Sequence, residues 1–166
     1  MLRQTENQEM RRRAFKMMGN LPNEVRWELF REKVPMEYWP RRWLELEAEL
    51  AGNAGDIATI HRLVEAAQGP FQDRLRTVAM SHLNRAGHCQ GTLMLVEGID
   101  LTMVDPVFLC CVTKALVILL RHPEALALYE AYPDANKDDF CRQMEAWTRE
   151  SIRQHNERIA RDASRD

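Results

Sequence analysis

A short apolar word recurs in this chain at a nearly fixed interval, and that interval constrains the fold more than any other feature. Leu63-Val64-Glu65-Ala66, Leu95-Val96-Glu97-Gly98 and Leu128-Tyr129-Glu130-Ala131 are spaced by 32 and then 33 residues. Upstream of each lies a break: Ala54-Gly55-Asp56, Ala86-Gly87-His88 and Arg121-His122-Pro123. Further upstream lies an apolar segment, at 43–51, 71–84 and 106–120. The pattern predicts a helix, a short turn, a second helix and a loop in each unit. A single helical hairpin of about 33 residues cannot bury its apolar face, whereas about three stacked hairpins can.

Local chemistry agrees with that parsing. Ile57, Ile60, Val64 and Ala67 fall at helical spacing on one face, as do Ala125, Leu128, Tyr129 and Tyr132. Asp56 is placed to cap a helix N-terminus with its side-chain oxygen. Pro123 near a helix start costs little, because its missing N–H would lack an intrahelical partner anyway. Gly69-Pro70 and Tyr132-Pro133-Asp134 punctuate the units. Gly52-Asn53-Ala54-Gly55 reads as a helix-ending turn.

A chain of 166 residues suits one domain. The expected architecture is all-α: an N-terminal helical cap over 1–42, three hairpins over 43–133, and a C-terminal helix with a polar tail over 134–166. Within the cap, 4–18 is expected to form a polar helix. A second helix is expected to begin at Leu21-Pro22-Asn23-Glu24, with Trp27, Leu29, Phe30 and Val34 as its apolar positions. Pro35 and Pro40 bound an aromatic joint. In the closing helix, Phe140, Met144, Trp147 and Ile152 are the expected inner face.

Several function classes are excluded or disfavoured. Cys89, Cys110, Cys111 and Cys141 show no C-x-x-C spacing, so reduced thiols packed in helices are expected rather than a disulfide framework or zinc module. The longest apolar run, Val107–Leu120, is shorter than the roughly 20 residues needed to span a bilayer and contains Lys114, so no direct membrane insertion is expected. His82, His88 and Cys89 lie near one another, but no second pair completes a tetrahedral zinc set. Cys110 and Cys111 read as packed thiols, with no charged partner close in sequence. No P-loop, G-x-S-x-G, H-E-x-x-H or dinucleotide fingerprint occurs. No catalytic, cofactor-binding or metal-ligating residue is therefore assigned.

The hairpin length, Gly55-Asp56, Gly87-His88 and the apolar words late in each second helix resemble pentatricopeptide repeats, and more loosely tetratricopeptide repeats. The resemblance covers about residues 41–155. It departs from the tetratricopeptide signature, and its units are slightly short. Size, repeat number and charge are also similar to the pentatricopeptide-like accessory subunits of euglenozoan mitochondrial ATP synthase. That likeness implies a non-catalytic subunit on the matrix side of the inner membrane, docked on the alpha subunit of the catalytic head.

Most pentatricopeptide arrays bind single-stranded RNA, so the resemblance also implies the alternative of a mitochondrial RNA-binding or ribosome-associated protein. Charge weighs against it. Residues 1–42 carry a net +4, residues 43–133 a net −5 and residues 134–166 a net −1. The hairpin region is thus acidic and would repel phosphate. The basic cluster Arg11-Arg12-Arg13 with Lys16 reads as a solvated helix face balanced by Glu6 and Glu9. Those two acids also do not suit a transit peptide, so a presequence, where one is used, is expected to lie outside this chain. The candidate partner-binding residues are Trp27, Tyr38, Trp39 and Trp43 with Arg41 and Arg42. Aromatics beside arginines are typical of interface hot spots. The same residues would serve equally as the seal at the end of a helical stack.

Overall fold

In the computed structural model, residues 9, 13 and 23–163 are described, with side chains from residue 28 onward and at Glu9 and Arg13. The expected helix over 4–18 therefore lies mostly outside the described residues. Of the basic cluster there, Arg13 pairs with Glu9 at 2.7 Å across one helical turn.

The described chain is all-helical, with no strand. Eight α-helices follow in order: α1 (Asn23–Lys33), α2 (Arg41–Ala54), α3 (Ile57–Ala66), α4 (Phe71–Ala86), α5 (Cys89–Met94), α6 (Pro106–Ile118), α7 (His122–Ala131) and α8 (Asp139–Ala163). Short 3-10 turns at Met36–Tyr38 and Asp134–Asn136 lead into α2 and α8. None of these helices is long and apolar enough to cross a membrane.

Helices α2, α4, α6 and α8 pack side by side in that order, and α3, α5 and α7 each fold back on the helix before them. The reversals share one hydrogen-bond pattern. After α2, Gly55 N–H donates to Gly52 and Asp56 N–H to Ala51; after α4, Gly87 donates to Asn84 and His88 to Leu83. After α6, Leu120 donates to Val117 and Arg121 to Leu116. Each is a paired closure that satisfies the last carbonyls of a helix and turns the chain through a left-handed residue. That residue is Gly55 (φ 71), Gly87 (φ 86) and, at the third reversal, Leu120 (φ 59). The third turn thus sits at Leu120, just before the expected break at Arg121-His122-Pro123. A leucine gave no turn signal, because L-residues other than glycine rarely adopt this conformation.

Gly52 does a different job from the one expected of it. It lies inside α2, where a Cβ would meet Ala79 O at 2.7 Å and His82 Cβ at 2.8 Å. Together with the buried Ala48, Ala51 and Ala79, it lets α2 and α4 approach closely. That approach fixes how their exposed faces adjoin.

The second word, Leu95–Gly98, also falls outside its helix, since α5 ends at Met94. Leu95 and Val96 remain buried, so they keep their packing role while the backbone turns through Gly98 (φ 76). Gly91 brings α5 close to Ile57 of α3, whose Cδ1 would lie 2.6 Å from a Cβ there.

The interior divides into two clusters. The larger runs from Phe30 and Trp39 through Leu63, Leu75 and Leu83 to Phe108 and Leu116, with Glu47, Thr59, Asn84 and Thr92 buried on the same helices. The smaller joins α6, α7 and α8 through Leu109, Cys110, Tyr129, Tyr132 and Cys141. Most of its polar atoms are matched, the buried Thr148 hydroxyl being the exception. Thr113 Oγ1 and the Tyr129 hydroxyl are 2.8 Å apart, and Tyr132 donates to Val104 O at 2.7 Å.

Helix α8 docks on this smaller core by a face that overlaps the expected one only in part, through Met144 and Ile152. Cys141 and Thr148 are buried, Met144 and Ile152 are half-buried, and Phe140 and Trp147 are 47% and 45% exposed. Polar positions complete the inner face. The Asp138 carboxylate accepts from Cys141 N–H at 2.7 Å, and the largely buried Lys137 ammonium binds Asp134 and Glu145 at 3.0 and 3.1 Å. An apolar-only search for the inner face could not find it.

Candidate protein-docking groove

The aromatic residues singled out in the sequence are brought together at the N-terminal end. Phe30 stands edge-on to Trp43, with ring centroids 4.2 Å apart, and lies 5.9 Å from Trp39. Trp39 is 3% exposed and its indole N–H donates to Val34 O at 2.7 Å. A buried indole whose one donor is satisfied is a structural anchor. Tyr38 and Trp43 are half-buried. Arg41 reaches over the Phe71 ring at 5.1 Å, and Arg42 lies 3.9 Å from Glu45. Trp27 belongs to α1, but its side chain lies outside the described residues. These contacts join α1 to α2 and α4 and act as a seal. A second tie is the ion pair of Arg31 with Glu47, a carboxylate on α2 that is only 3% exposed.

The open surface of the molecule lies elsewhere, along the outer faces of α2, α4, α6 and α8. A groove of about 520 Å³ runs over them. Glu49 contributes from α2; Arg74, Val78, Ser81 and His82 from α4; Val107, Cys111 and Lys114 from α6; Phe140 and Met144 from α8. Helical periodicity explains this selection. Val107, Cys111, Lys114 and Ile118 recur at intervals of four, three and four residues on one face of α6, and Phe140, Met144 and Trp147 do so on α8.

The two ends of the groove differ in chemistry. Its α2–α4 side is polar and internally paired: Arg74 binds Glu45 at 3.1 Å, and His82 Nδ1 lies 3.0 Å from Asn53 Oδ1. Its α6–α8 side is apolar. Apart from Lys114 it is lined by Val107, Cys111, Phe140 and Met144, and Val107 and Phe140 are 42% and 47% exposed; Ile118 and Trp147, further along the same helix faces, are 47% and 45% exposed. Beneath the groove, Asn84 ties three helices together, donating to Cys111 O at 2.8 Å and accepting from Thr92 at 2.9 Å. Burial pushes the Cys111 thiol up to about 11, with the Lys114 charge acting against it, so this thiol is protonated at neutral pH. It lines the groove as an apolar group.

The other candidate positions disperse. Cys89 is buried, with its thiol raised by burial, while His88 is exposed at the start of α5. Cys110 is buried and pushed up to about 12, first by burial and then by the neighbouring Cys141. Among the described residues, no three His, Cys, Asp or Glu side chains gather as a metal-binding group. Sequence reasoning missed Glu49, Arg74, Val107 and Lys114 as a set. The available signal was the apolar stripe on α6, which reads first as core because it sits inside the longest apolar run.

No family model matches the chain, and no curated protein or solved structure matches it either.

Proposed function

We propose that this chain is a non-catalytic accessory subunit that docks by protein–protein contacts on a larger assembly. The observation that carries the reading is the α6–α8 wall of the groove, where Val107 and Phe140 stand half open to solvent, with Ile118 and Trp147 exposed further along the same helix faces. Contiguous exposed apolar side chains rimmed by polar ones mark a surface for another protein. The groove is also poorly made for nucleic acid. Its lining mixes the cations Arg74 and Lys114 with the acid Glu49, and Arg74 is already bound by Glu45, whereas a phosphate backbone needs a continuous run of positive charge.

The specific candidate is the alpha subunit of the mitochondrial ATP synthase catalytic head, with the chain on the matrix side of the inner membrane. Support for it lies in the likeness to accessory subunits of that complex in size, charge and hairpin number. In this reading the ATP chemistry belongs to the partner subunits, and the chain carries no catalytic residue.

Native purification of the tagged chain followed by mass spectrometry tests this. The expected result is stoichiometric recovery of ATP synthase alpha and beta subunits. Recovery with ribosomal proteins or RNA would replace the reading with the RNA-binding one.

A further inference from the structure

We propose that the α6–α8 wall of the groove receives a linear segment of a partner protein in which large apolar side chains flank a carboxylate, and that the carboxylate seats on Lys114. The inference rests on the protein-docking reading and specifies the chemistry of what docks.

Lys114 is the centre of the case. It is exposed on α6, three residues after Cys111 and seven after Val107, and it lines the groove beside Phe140 and Met144. The groove's arginine, Arg74, is engaged by Glu45, while Lys114 has no ion pair among the described residues. An apolar segment laid over Val107, Phe140, Met144 and Trp147 would remove water from this ammonium. A charge desolvated without a partner is costly, so a segment that brings a carboxylate is favoured and one that brings a cation is rejected. Phosphate is a poorer fit, since Lys114 offers a single ammonium and Arg74 is already engaged by Glu45.

The length of the wall sets the size of the segment. Val107 to Ile118 spans about 16 Å at the helical rise per residue. That matches roughly three turns of helix or about five extended residues.

The test is selection of a random twelve-residue peptide display library against the immobilised full chain, followed by affinity measurement with the enriched peptides synthesised. The expected consensus is Asp or Glu flanked by Leu, Ile, Phe, Trp or Met. Lys114→Glu should weaken those peptides by about tenfold or more through like-charge contact. Lys114→Met should weaken them by about tenfold, less than Lys114→Glu, because it leaves the peptide carboxylate desolvated without a partner. Phe140→Asp should remove binding, with circular dichroism confirming that each variant stays folded. Enrichment without a carboxylate, indifference to Lys114→Glu, or no selectable peptide would overturn the inference. Those failures leave recovery of the native complex as a separate result, so they are distinguishable from failure of the docking reading. Competition by polyuridylate RNA with a steep salt dependence would sink both.

Discussion

The two cores of this molecule are built by different rules. Around α2, α3 and α4 the interior is assembled from small and aliphatic groups: Ala48, Ala51, Gly52 and Ala79 at the helix contact, with Ile60, Leu63, Leu75 and Leu83 filling the space between. Between α6, α7 and α8 the interior is lined by Cys110, Thr113, Tyr129, Tyr132, Cys141 and Thr148, and the hydroxyls of Thr113, Tyr129 and Tyr132 are hydrogen-bonded there while that of Thr148 is buried without a partner among the described residues. Apolar packing is non-directional and tolerates adjustment. A buried polar set is directional, and each unmet atom carries a desolvation cost. The first core therefore supplies most of the stability. The second sets where α8 sits, and so where Phe140, Met144 and Trp147 stand along the groove.

Paired substitutions break that comparison most sharply. Leu83→Ala deletes a fully buried side chain from the first core and should cost about 2–5 kcal/mol in urea denaturation. Tyr129→Phe keeps the ring and removes only the hydroxyl beside Thr113, which retains the Leu109 and Cys110 carbonyls as acceptors. It should cost about 1 kcal/mol. The two should also differ in kind. Amide hydrogen exchange in Tyr129→Phe should rise selectively in α8, whereas Leu83→Ala should raise it throughout. A uniform rise in both variants would show that the two cores are one cooperative unit.

Alkaline pH should separate the cores next. Burial raises the thiols of Cys110 and Cys141 and the hydroxyls of Tyr129 and Tyr132, with Cys110 pushed up to about 12. A group raised in the folded state favours folding fully below its unfolded pKa, and that contribution is lost as pH climbs through the folded value. Lys137, whose net rise comes from Asp134 and Glu145 overcoming its burial, loses its contribution in the same direction. The urea midpoint should thus begin to fall above about pH 8.5, where an unfolded thiol ionises, and continue falling toward pH 12. Near-ultraviolet dichroism of the tyrosines should change together with exchange in α8. The first core has fewer groups to titrate, the thiols of Cys89 and Cys111, and should hold longer. A midpoint flat from pH 8 to pH 11 would contradict this account.

Legibility in the sequence follows the same division. Helical spacing of Ile57, Ile60 and Val64 and the glycines at 55 and 87 exposed the first two hairpins, because aliphatic faces and glycine turns announce themselves locally. The closing helix was found but rotated, since its inner face is made by Cys141, Glu145 and Thr148, which an apolar count passes over in favour of Phe140 and Trp147. The aromatic residues Trp39 and Trp43 stood out in the sequence as a group, and Trp39 is spent on the core. The groove was nearly invisible. Its residues come from four helices separated by up to a hundred positions, and only their side-by-side packing makes them neighbours.

The smallest predicted effect bears on the turn that links the two cores. Leu120 occupies the left-handed position that Gly55 and Gly87 fill in the other reversals, and it is 60% exposed beside the exposed Leu119. A leucine in this conformation costs about 1–2 kcal/mol. Glycine there would relieve that strain but add chain entropy to the unfolded state, which takes back about 0.5–1 kcal/mol. Leu120→Gly should therefore be neutral to stabilising by about 1 kcal/mol in urea denaturation. Such a sign is unusual for removing an entire aliphatic side chain, and it follows because this side chain packs little and strains the backbone. A loss of more than about 1 kcal/mol would mean that Leu120 contributes packing at the junction. The two cores would then be coupled through that turn and not only through α6.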